Sequence, residues 1–148
     1  MVTDIAGLKE HVGEHLGYTE WREIDQDRVN LFADATDDHQ WIHVDRERAA
    51  SSPFGGTIAH GYLTLALAAP LMSELIEVQG VSMGINYGLD RVRFPAPVPV
   101  GSRIRAGAEL VEVTEVAGGV QSKLLVSFEV ENGDKPACVA EVLVRHYG

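Results

Sequence analysis

Apolar and polar positions alternate with helical spacing through most of the first half of the chain. Apolar residues recur every three or four positions over residues 4–15 and stop before Gly17, which predicts a first helix. Residues 18–24 predict a short strand. Asp25 stands where a helix cap is expected, and the apolar positions after it predict a second helix that ends near Thr36.

The middle of the chain contains a polar corner, a loop and one strongly apolar segment. Residues 37–40 are all polar, residues 45–50 predict one or two helical turns, and residues 51–56 predict a loop. From 58 to 76 the residues are apolar on nearly all sides of a helix. A helix of this kind belongs inside a protein, so the segment predicts a long, buried, central helix.

The remainder of the chain has the pattern of strands. Residues 81–94, 103–116, 120–131 and 135–146 predict strands, and the turns at 118–119 and 132–134 are typical of hairpins. One apolar helix followed by four antiparallel strands predicts an α+β fold, a single hotdog domain over residues 1–148 with the sheet wrapped around the helix. Exposed sheet edges in such a fold favour a homodimer.

Charge and cysteine content narrow the possible partners and location. The formal net charge of -10 argues against nucleic acid, because phosphate backbones repel an acidic surface. Cys138 is the only cysteine, so no internal disulfide forms, and a reducing, cytoplasmic location is expected. The N-terminus has no pattern of a secretion signal. Residues 57–73 are apolar but shorter than the ~20 residues of a membrane span, so no membrane partner is expected.

The polar corner offers a candidate catalytic pair. Asp38 precedes His43 by five positions, and a carboxylate and an imidazole can together hold one water and move its protons. Two other interpretations stay open, since Asp38 can cap the following helix and His43 can be a core residue. His39 and His43 have the spacing of metal ligands, but Gln40 replaces the glutamate of the metalloprotease motif, so no metal is predicted.

The start of the apolar helix offers a candidate binding site for an oxygen atom. The first turn of a helix has free backbone amides, and Gly61 allows a ligand carbonyl to approach closely. The alternative is that Gly61 only lets the helix pack against the sheet. Tyr62 is interpreted as a core residue or a pocket wall, and His60 as structural.

Arginines on a predicted strand offer candidate phosphate contacts. Arg91 and Arg93 lie two positions apart, so their side chains share one face of the strand. They are candidates for binding the phosphates of a long cofactor arm. A solvated sheet face is the competing interpretation.

Specific motifs resemble a known family. Residues 37–43 read Asp-Asp-His-Gln-Trp-Ile-His, which is similar to the signature Gly-Asp-x-Asn-Pro-(Ile/Leu)-His of the MaoC-like dehydratases, including the (R)-specific enoyl-CoA hydratases. The acid, the histidine and Ile42 match, whereas Asp37, Gln40 and Trp41 replace the glycine, asparagine and proline. The runs at 38–45, 53–61, 86–89 and 91–101 resemble the branch named for nodulation protein N.

The resemblance implies a hotdog homodimer with no metal and no cofactor, acting on a trans-2-enoyl thioester of coenzyme A. By this likeness Asp38 and His43 are the catalytic pair, and the Gly61 amide binds the thioester carbonyl. Related hydratases have a serine eight positions after that glycine, where this chain has Ala69. Asn86 is a candidate substitute for the hydrogen bond that this serine gives to the catalytic carboxylate.

The predicted activity is reversible hydration of a 2-enoyl-CoA to an (R)-3-hydroxyacyl-CoA. The alternatives are a hotdog acyl-CoA thioesterase, a non-catalytic acyl-CoA-binding module, and a structural subunit of a larger dehydratase. The sequence does not specify the acyl chain length, the pathway, or the choice between coenzyme A and an acyl carrier protein.

Overall fold

An antiparallel sheet forms the frame of the computed structural model, which describes all residues 1–148. The strands are numbered in chain order. Across the sheet they lie side by side in the order β2 (His15–Tyr18), β6 (Arg103–Val116), β7 (Gly119–Val130), β8 (Cys138–Tyr147) and β5 (Met83–Arg93). A further short strand, β3 (Arg22–Glu23), also pairs with β6. A separate parallel pair consists of β1 (Val2–Asp4) and β4 (Glu77–Gln79). Strand β5 is an edge, since within the sheet it pairs only with β8.

Five α-helices lie between β3 and β4. They are α1 (Gln26–Thr36), α2 (Trp41–Val44), α3 (Arg46–Ala50), α4 (Gly61–Ala66) and α5 (Ala68–Leu75). The predicted cap at Asp25 is confirmed, because its carboxylate accepts a hydrogen bond from the Arg28 backbone N–H at 2.8 Å. No helix is both long enough and apolar enough to cross a membrane.

The core lies between α4–α5 and one face of the long strands. Alternate strand residues are buried, as expected for a sheet with one covered face. The main contributors are Ile104, Ala106, Ala108, Leu110, Leu124, Val126 and Phe128 from the sheet, and Leu63, Leu71, Met72 and Leu75 from the helices. The four predicted strands are confirmed as β5 to β8, and so is the predicted α+β class.

The predicted first helix over residues 4–15 is wrong. This segment forms β1, a 3-10 helix (Gly7–His11) and the start of β2. Gly13 and Gly17 have φ angles of 90° and 94°, a backbone conformation that ends helices and that glycine adopts without strain. Leu8 is fully buried and Ile5 and Leu16 pack against the core, whereas Val12 is exposed, so the apolar spacing does not mark one continuous helix face.

The predicted central helix over residues 58–76 begins later and is divided. Residues before Gly61 are extended, and the Ala59 N–H donates to the Val98 carbonyl at 2.8 Å. The helix is interrupted at Leu67, between α4 and α5. Pro70 explains the break, because it has no N–H to donate and its ring clashes with the preceding turn. One side of both helices stays exposed in the single chain.

Candidate active site

The end of α1 positions the polar corner. Asp37 follows the helix with φ of 59°, the left-handed conformation that favours glycine and that aspartate tolerates better than most residues. This is the position where the hydratase signature has glycine. The left-handed turn ends α1 and directs Asp38 and the following residues back across the helix.

The corner and the residue before α4 bring three side chains together. One oxygen of the Asp38 carboxylate and one nitrogen each of His43 and His60 all lie within 4.8 Å of one another. Asp38 is exposed, whereas His43 and His60 are only 7% and 3% exposed. Short helix α2 turns the chain between Asp38 and His43, so the pair meets as the sequence analysis expected.

Backbone contacts fix the orientation of His43. Its Nδ1 lies 2.7 Å from the Ile58 carbonyl oxygen, and because a carbonyl only accepts hydrogen bonds, Nδ1 carries the proton. The Nε2 atom of the neutral ring therefore presents its lone pair. The His43 carbonyl accepts a hydrogen bond from Gln26 at 2.7 Å, and Gln26 in turn accepts one from Thr57 at 2.6 Å.

The surroundings of His43 favour its neutral form. Burial lowers the pKa of its imidazole, and the neighbouring His60 lowers it further. The Ile58 carbonyl and Asp38 raise the pKa but do not compensate for burial. At neutral pH the ring is therefore a base with a free Nε2.

His60 belongs to this cluster, although the sequence analysis gave it only a structural role. Its Nε2 donates a hydrogen bond to the Asp38 backbone carbonyl at 2.9 Å. Its ring stacks on that of His43, with centroids 3.8 Å apart and planes inclined by 23°. Its Nδ1 is buried and has no hydrogen-bond partner. The position directly before Gly61 was the only sign of this role in the sequence.

The stacked rings are poorly arranged to share a metal ion. Two imidazoles bound to one tetrahedral zinc at Zn–N distances of about 2.1 Å have centroids about 5 Å apart. The centroids of His43 and His60 are closer than that, at 3.8 Å, and nearly parallel rings direct their lone pairs side by side. This geometry agrees with the prediction of no metal, which stays a prediction.

An open cavity of about 290 Å³ lies beside His43. Its wall contains His43, Phe54, Ile58, Ala59, Gly61, Thr64, Phe94, Pro95, Ala96, Pro97, Val98 and Ala137. The Gly61 N–H makes no hydrogen bond within the protein, so it is free for a ligand. A side chain at this position would contact the Phe94 ring at 3.1 to 3.2 Å, so Gly61 also has the packing role considered as the alternative.

Asp38 is not part of this wall, and the other predicted site residues also lie outside the cavity. Tyr62 is 71% exposed. Its ring is edge-on to the Phe94 ring, and the two ring centroids are 6.1 Å apart. Asn86 lies on β5 and makes no hydrogen bond to Asp38; it shares two other cavities with Ala69. Arg91 and Arg93 are exposed on β5, near the Phe94 end of the strand.

Comparisons with known proteins give consistent matches. The sequence matches the family described as MaoC like domain over residues 8–131. It is 57% identical over 143 residues to 3-hydroxyacyl-thioester dehydratase Z of Mycobacterium tuberculosis, covering 96% of this chain and 95% of that protein. It is 48% identical over 139 residues to nodulation protein N of Rhizobium leguminosarum bv. viciae, covering 92% and 86% of the two chains.

The fold is also similar to solved structures. The (R)-hydratase from A. caviae involved in PHA biosynthesis superimposes with a TM-score of 0.75 and 25% sequence identity. The superposition covers 90% of this chain and 94% of that one. The likeness therefore extends over nearly the whole of both chains.

Proposed function

Since this chain belongs to the family of MaoC-like domains, we propose that it reversibly adds water to trans-2-enoyl-CoA and forms (R)-3-hydroxyacyl-CoA. The family membership confirms the predicted resemblance, and the solved relatives confirm the hotdog fold. The enzyme is a hydro-lyase of the dehydratase and hydratase type. The observation that carries the finer proposal is the Asp38 carboxylate within 4.8 Å of a buried histidine nitrogen, beside a cavity that also contains Gly61.

The proposed reaction uses His43 as the base. Asp38 accepts a hydrogen bond from a water molecule and orients it, and Nε2 of His43 removes one proton as the water oxygen attacks the β-carbon. The imidazolium, stabilised by the Asp38 charge, then returns this proton to the α-carbon on the same face. The lowered pKa of His43 supports this role, because the resting ring must be neutral to take the proton.

The Gly61 amide is the proposed partner of the thioester oxygen. Negative charge develops on this oxygen when water attacks, and a preorganised N–H that has no other acceptor stabilises that charge. One such donor contributes about 3 kcal/mol to the stability of the transition state. The free Gly61 N–H in the wall of the His43 cavity supports this assignment.

Arg91 and Arg93 are the proposed contacts for the coenzyme A phosphates. Neither guanidinium has a carboxylate within salt-bridge distance, whereas Arg22, Arg103 and Arg105 each pair with a glutamate. Arg91 and Arg93 lie on the strand that leads to Phe94 in the cavity wall. Unpaired cations beside a thioester site match the anionic phosphates of coenzyme A.

A homodimer joined along β5 is the proposed assembly. This edge strand carries four large apolar residues that are each 37% to 52% exposed, namely Met83, Ile85, Tyr87 and Leu89. A long apolar edge exposed to water is unfavourable in a monomer, because it offers unpaired backbone groups to other chains. Pairing with β5 of a second copy extends the sheet and covers this surface.

The hydration reaction can be tested with crotonyl-CoA by following the loss of enoyl absorbance. Asp38→Asn and His43→Gln are expected to lower kcat by roughly 10²–10⁴-fold while thermal unfolding stays near that of the unaltered protein. Asp37→Asn and His39→Gln are matched controls, since they change the neighbouring acid and the neighbouring imidazole and should retain activity.

Two results would contradict the proposal. One is full hydration activity in either the Asp38 or the His43 variant. The other is release of free thiol from acyl-CoA without hydration, detected with a thiol-reactive dye, which would indicate a thioesterase.

A further inference from the structure

A second cavity lies between α5 and the sheet, away from His43. This distal cavity has a volume of about 310 Å³, and its lining includes Ala69, Met72, Ser73, Gly84, Ser122 and His146. Most of the wall is apolar, but four polar side chains interrupt it. Such a mixture is typical of sites that bind an apolar ligand carrying a few polar atoms.

Two of these polar side chains have buried atoms without a partner. Only three buried side-chain polar atoms in the protein make no hydrogen bond: Nδ1 of His60 in the candidate active site, Oγ of Ser122 and Nδ1 of His146. Ser122 is 1% exposed. Because buried polar groups are nearly always hydrogen-bonded, two unpaired groups on one cavity indicate a missing partner.

Strand register places the two groups on the same face of the sheet. Ser122 of β7 is paired with Val144 of β8, and Val120 is paired with His146. Ser122 and His146 are therefore diagonal neighbours on one face of the sheet, a relation in which residues typically lie about 7–8 Å apart. Gly84 of β5 lies against the His146 ring, where a side chain would come within 3.4 Å of Cδ2.

The chemistry of the pair suits a neutral ligand group. Burial lowers the pKa of His146, so its ring is uncharged near neutral pH. A neutral imidazole and a hydroxyl can each donate and accept a hydrogen bond. Neither supplies a full charge, so hydroxyl and keto groups match this site better than carboxylate or ammonium groups.

Three cavities follow one another along the contact between the helices and β5. The His43 cavity includes Gly61, a middle cavity of about 280 Å³ includes Leu65 and Ala69, and the distal cavity includes Ala69 and Met72. The strand residues run in the opposite order, from Phe94 through Leu89 to Gly84. At 1.5 Å per residue, Gly61 and Met72 are separated by roughly 16 Å along the helices.

We propose that the distal cavity binds a neutral hydroxyl or keto group on the far part of the substrate's acyl chain. Ser122 and His146 are its specificity-determining residues. This inference rests on the proposed hydratase function, since it takes the thioester to lie at Gly61. The preferred substrates are then medium-chain enoyl thioesters oxygenated near the end of the chain, rather than plain hydrocarbon chains.

Binding measured by calorimetry tests this inference independently of turnover. The unaltered enzyme is expected to bind ω-hydroxydodecanoyl-CoA about tenfold more tightly than dodecanoyl-CoA, as for one or two satisfied hydrogen bonds. Ser122→Ala and His146→Phe should bring the two affinities close together. Ser73→Ala is a matched control, since Ser73 lines the same cavity but donates its hydroxyl to the Pro70 carbonyl at 2.7 Å.

Crotonyl-CoA separates failure of this inference from failure of the proposed function. Its chain is too short to reach the distal cavity, so its hydration rate should be unchanged in the Ser122 and His146 variants. Equal affinity of the unaltered enzyme for the two dodecanoyl thioesters overturns the inference, even if crotonyl-CoA is hydrated. A hydroxyl preference that survives in both variants overturns the assignment of the two residues.

Discussion

At the scale of single residues, the site depends on contacts between segments that are distant in sequence. Asp38 and His43 lie in one short motif, so their proximity could be predicted from the likeness to the hydratase signature. The contribution of His60 could not, because it depends on a hydrogen bond to a backbone carbonyl 22 positions earlier. Backbone carbonyls are the same at every residue, so no sequence pattern marks such a contact.

His60 is predicted to be a positioning residue for the catalytic pair. His60→Phe keeps an aromatic ring against His43 but removes the hydrogen bond to the Asp38 carbonyl. Loss of one such bond should lower kcat for crotonyl-CoA by about tenfold. Steady-state kinetics of the folded variant measure this effect.

The pH profile separates positioning from a merely structural role. Protonated His43 is inactive as a base, and its pKa is lowered, so kcat/KM of the unaltered enzyme should fall only below pH of about 6.5. His60 contributes to this lowering of the His43 pKa, so His60→Phe should move the acid limb of the profile to higher pH.

Phe32→Leu is the control, because it changes the other aromatic neighbour of the His60 ring and should leave the acid limb in place. An acid limb that does not move in His60→Phe contradicts the prediction.

At the scale of helices and strands, some elements could be predicted from the sequence and others could not. The cap at Asp25 followed from local sequence, because its hydrogen-bond partner is the backbone of Arg28. The long strands followed from the alternation of buried and exposed side chains, which is visible in the sequence although their pairing partners can be distant. The break at Leu67 was missed, although Pro70 was a visible sign, since the apolar pattern continues through it. The N-terminal segment was missed because Ile5, Leu8 and Leu16 reach the core from a strand, a 3-10 helix and the loops between them, so their spacing does not require a long helix.

The first residue of β7, Gly119, directly follows the turn from β6 and should be highly sensitive to substitution. A side chain at Gly119 would overlap the His146 backbone carbonyl oxygen of β8, so Gly119→Ala forces two strands apart. We expect a loss of unfolding free energy on the order of 3 kcal/mol, measured by urea denaturation. Gly88→Ala on β5, where no atom lies within 4 Å, is the control and should change it by about 0.5 kcal/mol or less.

At the scale of the whole molecule, a group of exposed apolar side chains lies on the edge strand β5 and next to it. Met83, Ile85, Tyr87 and Leu89 are on β5, Tyr62 lies against Phe94 just after this strand, and one side of α4 and α5 is uncovered. The sequence predicted a helix buried on all sides, whereas a single chain covers only one side. In the proposed dimer, a second subunit covers this exposed side and so explains the apolar composition of these helices.

The proposed dimer is expected to dissociate when charge is placed on the β5 edge. Leu89 lies near the middle of β5 and is 44% exposed, so Leu89→Lys brings two like charges together in a symmetric pair. Sedimentation velocity should show a shift from dimer to monomer. Leu31→Lys, at a 69% exposed position on α1, is the control and should stay dimeric; a Leu89→Lys dimer of undiminished stability argues against pairing through β5.

The contact between His43 Nδ1 and the Ile58 carbonyl has a consequence for isotope tracing. With one ring nitrogen held by a backbone carbonyl, hydrogen enters and leaves the imidazole only through the other. In the proposed reaction, a deuterium taken from the α-carbon during dehydration is therefore carried on Nε2 and passes to the departing hydroxyl group. Reversal before this water leaves can return part of the label to the carbon, so washout into solvent should lag behind the chemical step.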